Sequence, residues 1–335
     1  MVANPLIEVE NLKVHFPVGA TGPLFRRSDL VVKAVDDVSF IIERGGTLGL
    51  VGESGSGKTT AGRAILRAIA PTDGVIRFHL GGEAIDVTAL ETTALRGFRR
   101  HMQLIFQDPY TSLNPRMTVR DIIAEPLEIQ RLGSRAEIDE RVRAIAAKCK
   151  LNIEHLRRFP HAFSGGQRQR IGIARALVAS PQFIVCDESV SALDVSIQAE
   201  IVNLLLDLQE EFGLTYLFIA HDLSIVAQVA TTVAVMYVGR LVEMAPTRKV
   251  FFAPKHPYTR ALLSAVPTVD SRTRFDPIKL VGEIPNPTDL PTGCRFNTRC
   301  PFVRDRCRVD EPEWRPLEPD HYVACHFAEE LAGDA

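Results

Sequence analysis

The sequence predicts an α/β fold with a largely parallel sheet, followed by a loop-rich C-terminal segment. Short apolar runs alternate with stretches of helical periodicity from residue 5 to about residue 243, a pattern typical of strands joined by crossover helices. A glycine-rich loop separates one apolar run from the helical stretch after it. More than half of the 21 prolines follow about Met244, and proline disfavours regular helices and sheets. We therefore expect two domains, 1–245 and 246–335.

The strands and helices are predicted in chain order from these patterns. Strands are expected at 7–14, 38–42, 47–51, 103–106, 183–186 and 216–220, and the last two are continuous apolar runs suited to strands buried on both faces. Helices are expected at 58–70, which Pro71 ends, at 116–132, at 135–150 and from Ser164 to Leu177. The glycine-containing segment 17–30 between the first two strands is predicted to be a surface hairpin or a mobile loop.

Composition argues against several classes of function. With 335 residues, 46% of them apolar, the chain fits one large domain with a substantial core plus an appendage. A net charge of −2 and a pI near 6.5 argue against nucleic acid as the main partner. No apolar stretch approaches the roughly 20 residues of a membrane span, and the N-terminus lacks the layout of a secretion signal. We expect a soluble, cytosolic protein that reaches a membrane only through a partner.

Residues 52–59 fit the phosphate-loop pattern G-x-x-x-x-G-K-[ST] at every fixed position. The glycines let the backbone direct N–H groups at phosphate oxygens, and the following helix adds its positive end. Lys58 is placed to reach the β- and γ-phosphates, and the Thr59 hydroxyl to ligate Mg²⁺. A chance glycine-rich turn is disfavoured by the strand before the loop and the helix after it. The predicted nucleotide-binding residues here are Gly52, Glu53, Ser54, Gly55, Ser56, Gly57, Lys58, Thr59 and Thr60.

Two carboxylates and a histidine follow predicted buried strands. A carboxylate at the position of Asp187 is costly without a cationic partner, so Asp187 is predicted to anchor Mg²⁺. Glu188 points elsewhere and is predicted to polarise the attacking water. His221 follows the strand at 216–220, where a lone histidine is more often structural than catalytic.

The stretch Ser164-Gly165-Gly166-Gln167 predicts the capped start of a helix. The Ser164 hydroxyl, the two glycine amides and the helix dipole together form an anion site without a lysine. An ordinary capped helix after a glycine turn is the alternative interpretation.

The ordered set of phosphate loop, Ser-Gly-Gly-Gln and Asp-Glu resembles the ATP-binding cassette (ABC) ATPases. The resemblance implies a RecA-like core, an antiparallel β subdomain and a helical subdomain that carries the signature. It implies that Ser164, Gly165, Gly166 and Gln167 close over an ATP held mainly by an opposing subunit. Phe163 replaces the usual leucine before them, a departure expected to affect packing more than phosphate contact.

The same resemblance assigns further residues. His221 matches the switch histidine that contacts the γ-phosphate, and Gln107 matches the Q-loop glutamine that approaches Mg²⁺ and the attacking water. Residues 191–194, ending in Asp194, match the D-loop at the dimer interface. Phe16 stands where the family stacks an aromatic ring on adenine, and His15 is its rival because an insertion follows.

Residues 186–198 and the stretch His256-Pro257-Tyr258 resemble the F-type ATPase subunits of dipeptide/oligopeptide importers. This implies a subunit that hydrolyses ATP to power import of peptides or a related solute, on the cytoplasmic face of the bacterial inner membrane. The implied partners are a paralogous D-type ATPase subunit, two transmembrane permease subunits and an extracellular or periplasmic peptide-binding protein. The identity of the transported solute stays open, and so does the choice between a homodimer and a heterodimer. The alternative is a soluble ABC ATPase acting on nucleic acid or ribosomes, which the short interval between Gln107 and Ser164 disfavours because it leaves no room for a long coiled coil.

Cys294, Cys300, Cys307 and Cys325 are spaced C-x5-C-x6-C-x17-C in the proline-rich segment. Four thiolates in a loop-rich segment suggest a metal staple. Zn²⁺ sites usually contain closely spaced cysteine pairs, and their lack here favours a [4Fe–4S] cluster over Zn²⁺. The family resemblance also implies such a cluster at these cysteines. Zn²⁺ is the rival ligand, and free thiols are the simplest alternative. Cys149 and Cys186 are expected in the core.

Overall fold

A computed structural model describes residues 4–18, 30–266 and 277–331. Most of the predicted surface loop at 17–30 falls outside the described residues. Across the described parts of the chain, every helix is too short or too polar to cross a bilayer.

The chain alternates strands and helices as the sequence predicts. The strands are β1 (Pro5–Pro17), β2 (Val31–Glu43), β3 (Thr47–Val51), β4 (Asp73–Leu80), β5 (Glu83–Asp86), β6 (Met102–Ile105), β7 (Phe183–Asp187), β8 (Thr215–Ile219), β9 (Thr232–Tyr237), β10 (Arg240–Pro246), β11 (Arg315–Glu318) and β12 (His321–Val323). The helices are α1 (Lys58–Ile65), α2 (Thr92–Phe98), α3 (Val119–Gln130), α4 (Arg135–Lys148), α5 (Gly165–Leu177), α6 (Val195–Phe212), α7 (Leu223–Val229), α8 (Thr247–Phe252), α9 (Pro257–Ser264), α10 (Asp305–Val309) and α11 (Ala328–Leu331).

These elements form two compact units. The first comprises the residues up to Ile7, Ile41–Thr47 and Arg77–Ala220. Its parallel strands β6, β7 and β8 are neighbours in that order, and β7 and β8 are buried along their whole length, as predicted for the runs at 183–186 and 216–220. Helix α5 packs against α3, α4 and α6 in the same unit.

The second unit comprises Glu8–Phe40, Leu48–Ile76 and the chain from His221 onward. Strand β3 pairs in parallel with β9, and β10 pairs antiparallel with β9. Strands β12 and β11 continue the antiparallel pairing beyond β10, so the proline-rich tail adds two strands of regular structure. Helix α7 lies close against β3, because a Cβ at Gly49 would come within 2.5 Å of Val226 Cγ1.

The observed boundaries differ from the predicted ones by three residues or more at four elements. Helix α1 stops at Ile65, well before the predicted end at residue 70, and Arg67 adopts a left-handed backbone with φ of 51° that a helix cannot continue through. Helix α3 begins later than residue 116, at the cap formed by Thr118, whose hydroxyl accepts the Asp121 N–H. Strands β1 and β2 extend beyond the predicted 7–14 and 38–42.

Candidate functional site

The predicted phosphate loop follows β3 and leads directly into α1. Two of its glycines have positive φ and close backbone neighbours. A Cβ at Gly52 (φ 149°) would lie 2.1 Å from the Met236 carbonyl oxygen, and a Cβ at Gly57 (φ 104°) 2.0 Å from that of Ala34. Only glycine fits at these two positions, so the spacing of the motif has a steric cause.

The Lys58 side chain lies inside this loop and is 5% exposed. Its Nζ donates to the carbonyl oxygens of Gly52 and Glu53, both at 2.8 Å, and to Ser56 Oγ at 3.3 Å. The loop therefore wraps its backbone around the ammonium group and holds it within the predicted phosphate site.

Two residues of the C-terminal region contact the same loop, and neither is among the predicted site residues. The Tyr258 hydroxyl accepts the Glu53 N–H at 2.9 Å. The Arg299 guanidinium donates to both Glu53 carboxylate oxygens, at 2.6 and 3.0 Å. No local signal could have revealed these contacts, since Arg299 lies 246 residues from Glu53.

In the first unit, the structure brings together the predicted Gln107 and Glu188. Both follow neighbouring parallel strands, β6 and β7, whose carboxyl ends meet at one edge of the sheet. The Gln107 amide donates to Glu188 Oε2 at 2.5 Å. Glu188 has a left-handed backbone with φ of 46°, and its N–H donates to the Ile219 carbonyl at 2.9 Å. Asp187 ends β7 and is only 3% exposed.

The predicted signature residues form a capped helix start, as expected. Ser164 is the N-cap of α5 and makes a capping box with Gln167, in which each side chain bonds the other residue's N–H. A Cβ at Gly166 would lie 2.5 Å from Ile197 Cγ2 in the first turn of α6. Asp194, the predicted D-loop residue, caps α6 by accepting the Ile197 N–H at 3.1 Å. The signature and the D-loop are thus packed side by side, with Ser164 and Asp194 both exposed.

Two arginines of α5 link the signature helix to the segment after β6. The Arg175 guanidinium donates to the Ser112 carbonyl at 2.8 Å and lies 5.4 Å from the Phe106 ring centre. Arg168 lies 4.3 Å from the Tyr110 ring centre. These contacts were not predicted, although cationic residues near aromatic ones are a recognisable pairing.

His221, in the second unit, lies just before α7 and is exposed. The two candidates for adenine stacking differ in their surroundings. Phe16 is 40% exposed. His15 bonds through Nε2 to Asp36 Oδ1 at 2.9 Å. Burial alone raises the Asp36 pKa, but hydrogen bonds from Arg295 and His15 hold it below its usual range.

The four predicted metal-binding cysteines line one small cavity of about 20 Å³, together with Phe296, Phe302 and Phe327. The Cys294 N–H donates to the Cys307 carbonyl at 2.8 Å. Burial raises the pKa of the Cys294 thiol to about 12 and that of Cys300 to about 11. Within residues 4–18, 30–266 and 277–331, no group of three or more His, Cys, Asp or Glu side chains is arranged to hold a metal ion. Cys149 and Cys186 are buried in the core, as predicted.

Comparison with known proteins agrees with this fold and these motifs. The ABC transporter family matches residues 35–191, and the oligopeptide/dipeptide transporter C-terminal region matches residues 242–307. A putative peptide import ATP-binding protein of Brucella melitensis is 49% identical over 325 residues, covering 97% of this chain and 98% of the relative. The oligopeptide transport ATP-binding protein AppF of Bacillus subtilis is 47% identical over 325 residues, covering 96% of this chain and 97% of AppF. The solved dimer of the ATP-binding cassette MJ0796 with ADP and Pi has a TM-score of 0.62 and 26% identity, covering 72% of this chain and 99% of that one.

The fold and the motifs define an ABC-type ATPase. More particularly, the chain belongs to the ABC transporter ATP-binding proteins that carry the oligopeptide/dipeptide transporter C-terminal region. The alternative of an ABC ATPase acting on nucleic acid or ribosomes is not supported by these relatives.

Proposed function

We propose that this chain is the ATP-hydrolysing subunit that powers import of di- or oligopeptides, or of a related solute, by an ABC transporter. The names of the relatives support peptide import. The observation that carries the hydrolytic assignment is the hydrogen bond between Gln107 and Glu188, which are 81 residues apart in sequence. It puts a carboxylate and an amide side by side, and these two groups can together orient and deprotonate an attacking water.

The residues proposed for the ATP site have the following roles. Lys58 and the backbone amides of the phosphate loop bind the phosphates, and the Thr59 hydroxyl, Gln107 and Asp187 are the proposed contacts of Mg²⁺. A buried carboxylate such as Asp187 suits this role, because a nearby cation offsets its desolvation. His221 contacts the γ-phosphate, and Phe16 stacks on adenine. Phe16 is preferred over His15 because its ring is exposed while the His15 ring is bonded to Asp36.

We propose that the signature residues serve an ATP held by a second ATPase subunit. The exposed Ser164 at the N-terminus of α5 supports this assignment, since a helix N-terminus favours negative charge. The partner subunit is proposed to be a D-type paralogue in a heterodimer. Each chain then supplies parts of two ATP sites.

The assembly proposed for this subunit includes two transmembrane permease subunits and an extracellular or periplasmic peptide-binding protein. In it the chain lies peripherally on the cytoplasmic face of the bacterial inner membrane. We assign the ATPase domain to 1–245 and the transporter-type extension to 246–335, a division supported by the match of the C-terminal region model near the same point.

We further propose that Cys294, Cys300, Cys307 and Cys325 hold a [4Fe–4S] cluster. Four cysteines that line one small cavity supply the donor type of an iron–sulfur cluster, although their side chains are not arranged around a metal position. A bound cluster would cross-link the segments that carry these four cysteines. Zn²⁺ is the alternative ligand of the same cysteines.

The transport function is tested with the assembled transporter in proteoliposomes, energised with ATP on the side of the ATPase subunits. We expect ATP-dependent uptake of a labelled peptide mixture, and no uptake when this chain carries Lys58→Ala. Uptake that persists with Lys58→Ala, or ATP hydrolysis that no peptide stimulates in the presence of the binding protein, would contradict the proposed function.

A further inference from the structure

We propose that Arg299 and Tyr258 are positioning residues for the phosphate loop, so that the C-terminal region sets the affinity of the ATP site. The inference rests on the proposed binding of ATP by this loop. It concerns residues outside the nucleotide-binding motifs, and it gives the His256-Pro257-Tyr258 stretch a physical role.

The C-terminal region contacts the loop at Glu53, whose N–H, carboxylate and carbonyl groups all form hydrogen bonds. Its N–H donates to the Tyr258 hydroxyl at 2.9 Å, and its carboxylate bridges Arg299 at 2.6 and 3.0 Å. Its carbonyl accepts from Lys58 Nζ at 2.8 Å and from the Ser56 N–H at 3.2 Å. The Gly52 carbonyl, which also accepts from Lys58 Nζ at 2.8 Å, belongs to the same peptide unit as the Glu53 N–H. Because this peptide unit bonds both Tyr258 and Lys58, a shift of the C-terminal contacts displaces the Lys58 amine.

The two contacting side chains are well fixed. Tyr258 is fully buried, and its ring packs on Tyr237 and Phe296 with ring centres 4.6 and 5.4 Å apart. His256 caps α9 by accepting the Tyr258 N–H at Nδ1, at 3.1 Å. Arg299 is 8% exposed and also donates to the Tyr237 hydroxyl at 3.4 Å. Buried, multiply bonded side chains hold a neighbour in place at little further entropic cost.

The charge on Glu53 gives Arg299 a second effect on nucleotide binding. A carboxylate in a loop that binds a triphosphate repels the ligand, because like charges at short range disfavour each other. The bidentate pair with Arg299 neutralises that carboxylate and fixes its direction. Loss of the guanidinium leaves an unpaired anion beside the proposed phosphate site.

The test is equilibrium binding of a fluorescent ATP analogue, methylanthraniloyl-ATP, to the full-length chain, with KM and kcat for ATP measured alongside. Arg299→Gln is expected to raise Kd and KM about tenfold while kcat stays within about twofold, because the change acts on ground-state binding. The Kd of Arg299→Lys should lie between those of Arg299→Gln and the wild type, since lysine keeps the charge but not the paired donors. Tyr258→Phe keeps the ring packing and should raise Kd about threefold. The matched control is Arg304→Gln, which breaks the exposed pair with Glu330 (2.7 Å) and should leave Kd unchanged.

Combining Arg299→Gln with Glu53→Gln shows whether the lower affinity of Arg299→Gln comes from the unpaired Glu53 carboxylate or from a general loss of structure. The double variant should bind the analogue more tightly than Arg299→Gln alone, because the unpaired carboxylate is gone. Wild-type affinity in both Arg299→Gln and Tyr258→Phe would overturn the inference, as would a double variant weaker than Arg299→Gln. If Arg299→Gln fails to fold, Tyr258→Phe decides between these outcomes. Failure of the wild-type chain to bind the analogue would instead contradict the proposed ATP site.

Discussion

Alanine at Gly166 should have the opposite effect on stability from alanine at Gly172, although both glycines lie on α5. In a helix, alanine is more favourable than glycine by about 0.5–1 kcal/mol. At Gly172 nothing lies within 4 Å of the added Cβ, so this gain is expected in full. At Gly166 the Cβ would lie 2.5 Å from Ile197 Cγ2, and overpacking of this kind costs about 1–3 kcal/mol.

The two variants are compared by thermal unfolding of the full-length chain. The expected difference in unfolding free energy is about 1–3 kcal/mol, which for a chain of 335 residues corresponds to roughly 1–4 °C in melting temperature. Gly166→Ala should be the less stable variant and should also hydrolyse ATP more slowly, because the strain falls on Ile197, whose N–H bonds the D-loop residue Asp194. Equal melting temperatures, or a more stable Gly166→Ala, would refute the packing argument.

Two further changes test the cysteine site and the hydrogen bonds of Gln209. Cys300→Ser should remove iron and the absorbance near 400 nm, whereas Cys149→Ala, at a buried cysteine elsewhere, should keep both. Unchanged iron content in Cys300→Ser would contradict the proposed cluster. Stoichiometric zinc in the wild-type protein would favour Zn²⁺ at these cysteines. Gln209→Leu should destabilise the chain by about 1–3 kcal/mol in urea unfolding. The reason is that the Gln209 amide donates to the Gly45 and Leu214 carbonyls and to Thr47 Oγ1. An unchanged urea midpoint of unfolding would show that these acceptors find other donors.

The sequence predicts best where local chemistry decides the structure. The apolar runs at 183–186 and 216–220 became fully buried strands, since no other element buries so short a run on both faces. Ser164 became a helix cap because its hydroxyl and the Gln167 side chain satisfy N–H groups within one turn. The end of α1 was missed, because the left-handed Arg67 has no signal in its residue type.

Long-range contacts explain most of what the sequence could not predict. The density of prolines suggested a tail with little regular structure, yet β12 pairs with β10, a partner far upstream in the chain. The pairing of Arg299 with Glu53 joins two ordinary surface residue types, and only the folded chain brings them together. Hydrophobic periodicity carries no information about such pairs.

Glu188 is proposed to polarise the water that attacks ATP, and the ATP turnover of Glu188→Gln measures this role. Because glutamine cannot accept a proton, we expect kcat to fall about 10²–10⁴-fold while binding of methylanthraniloyl-ATP is retained. Glu210→Gln, at an exposed position of α6, should hydrolyse ATP like the wild type. Turnover near the wild-type rate in Glu188→Gln would contradict the account.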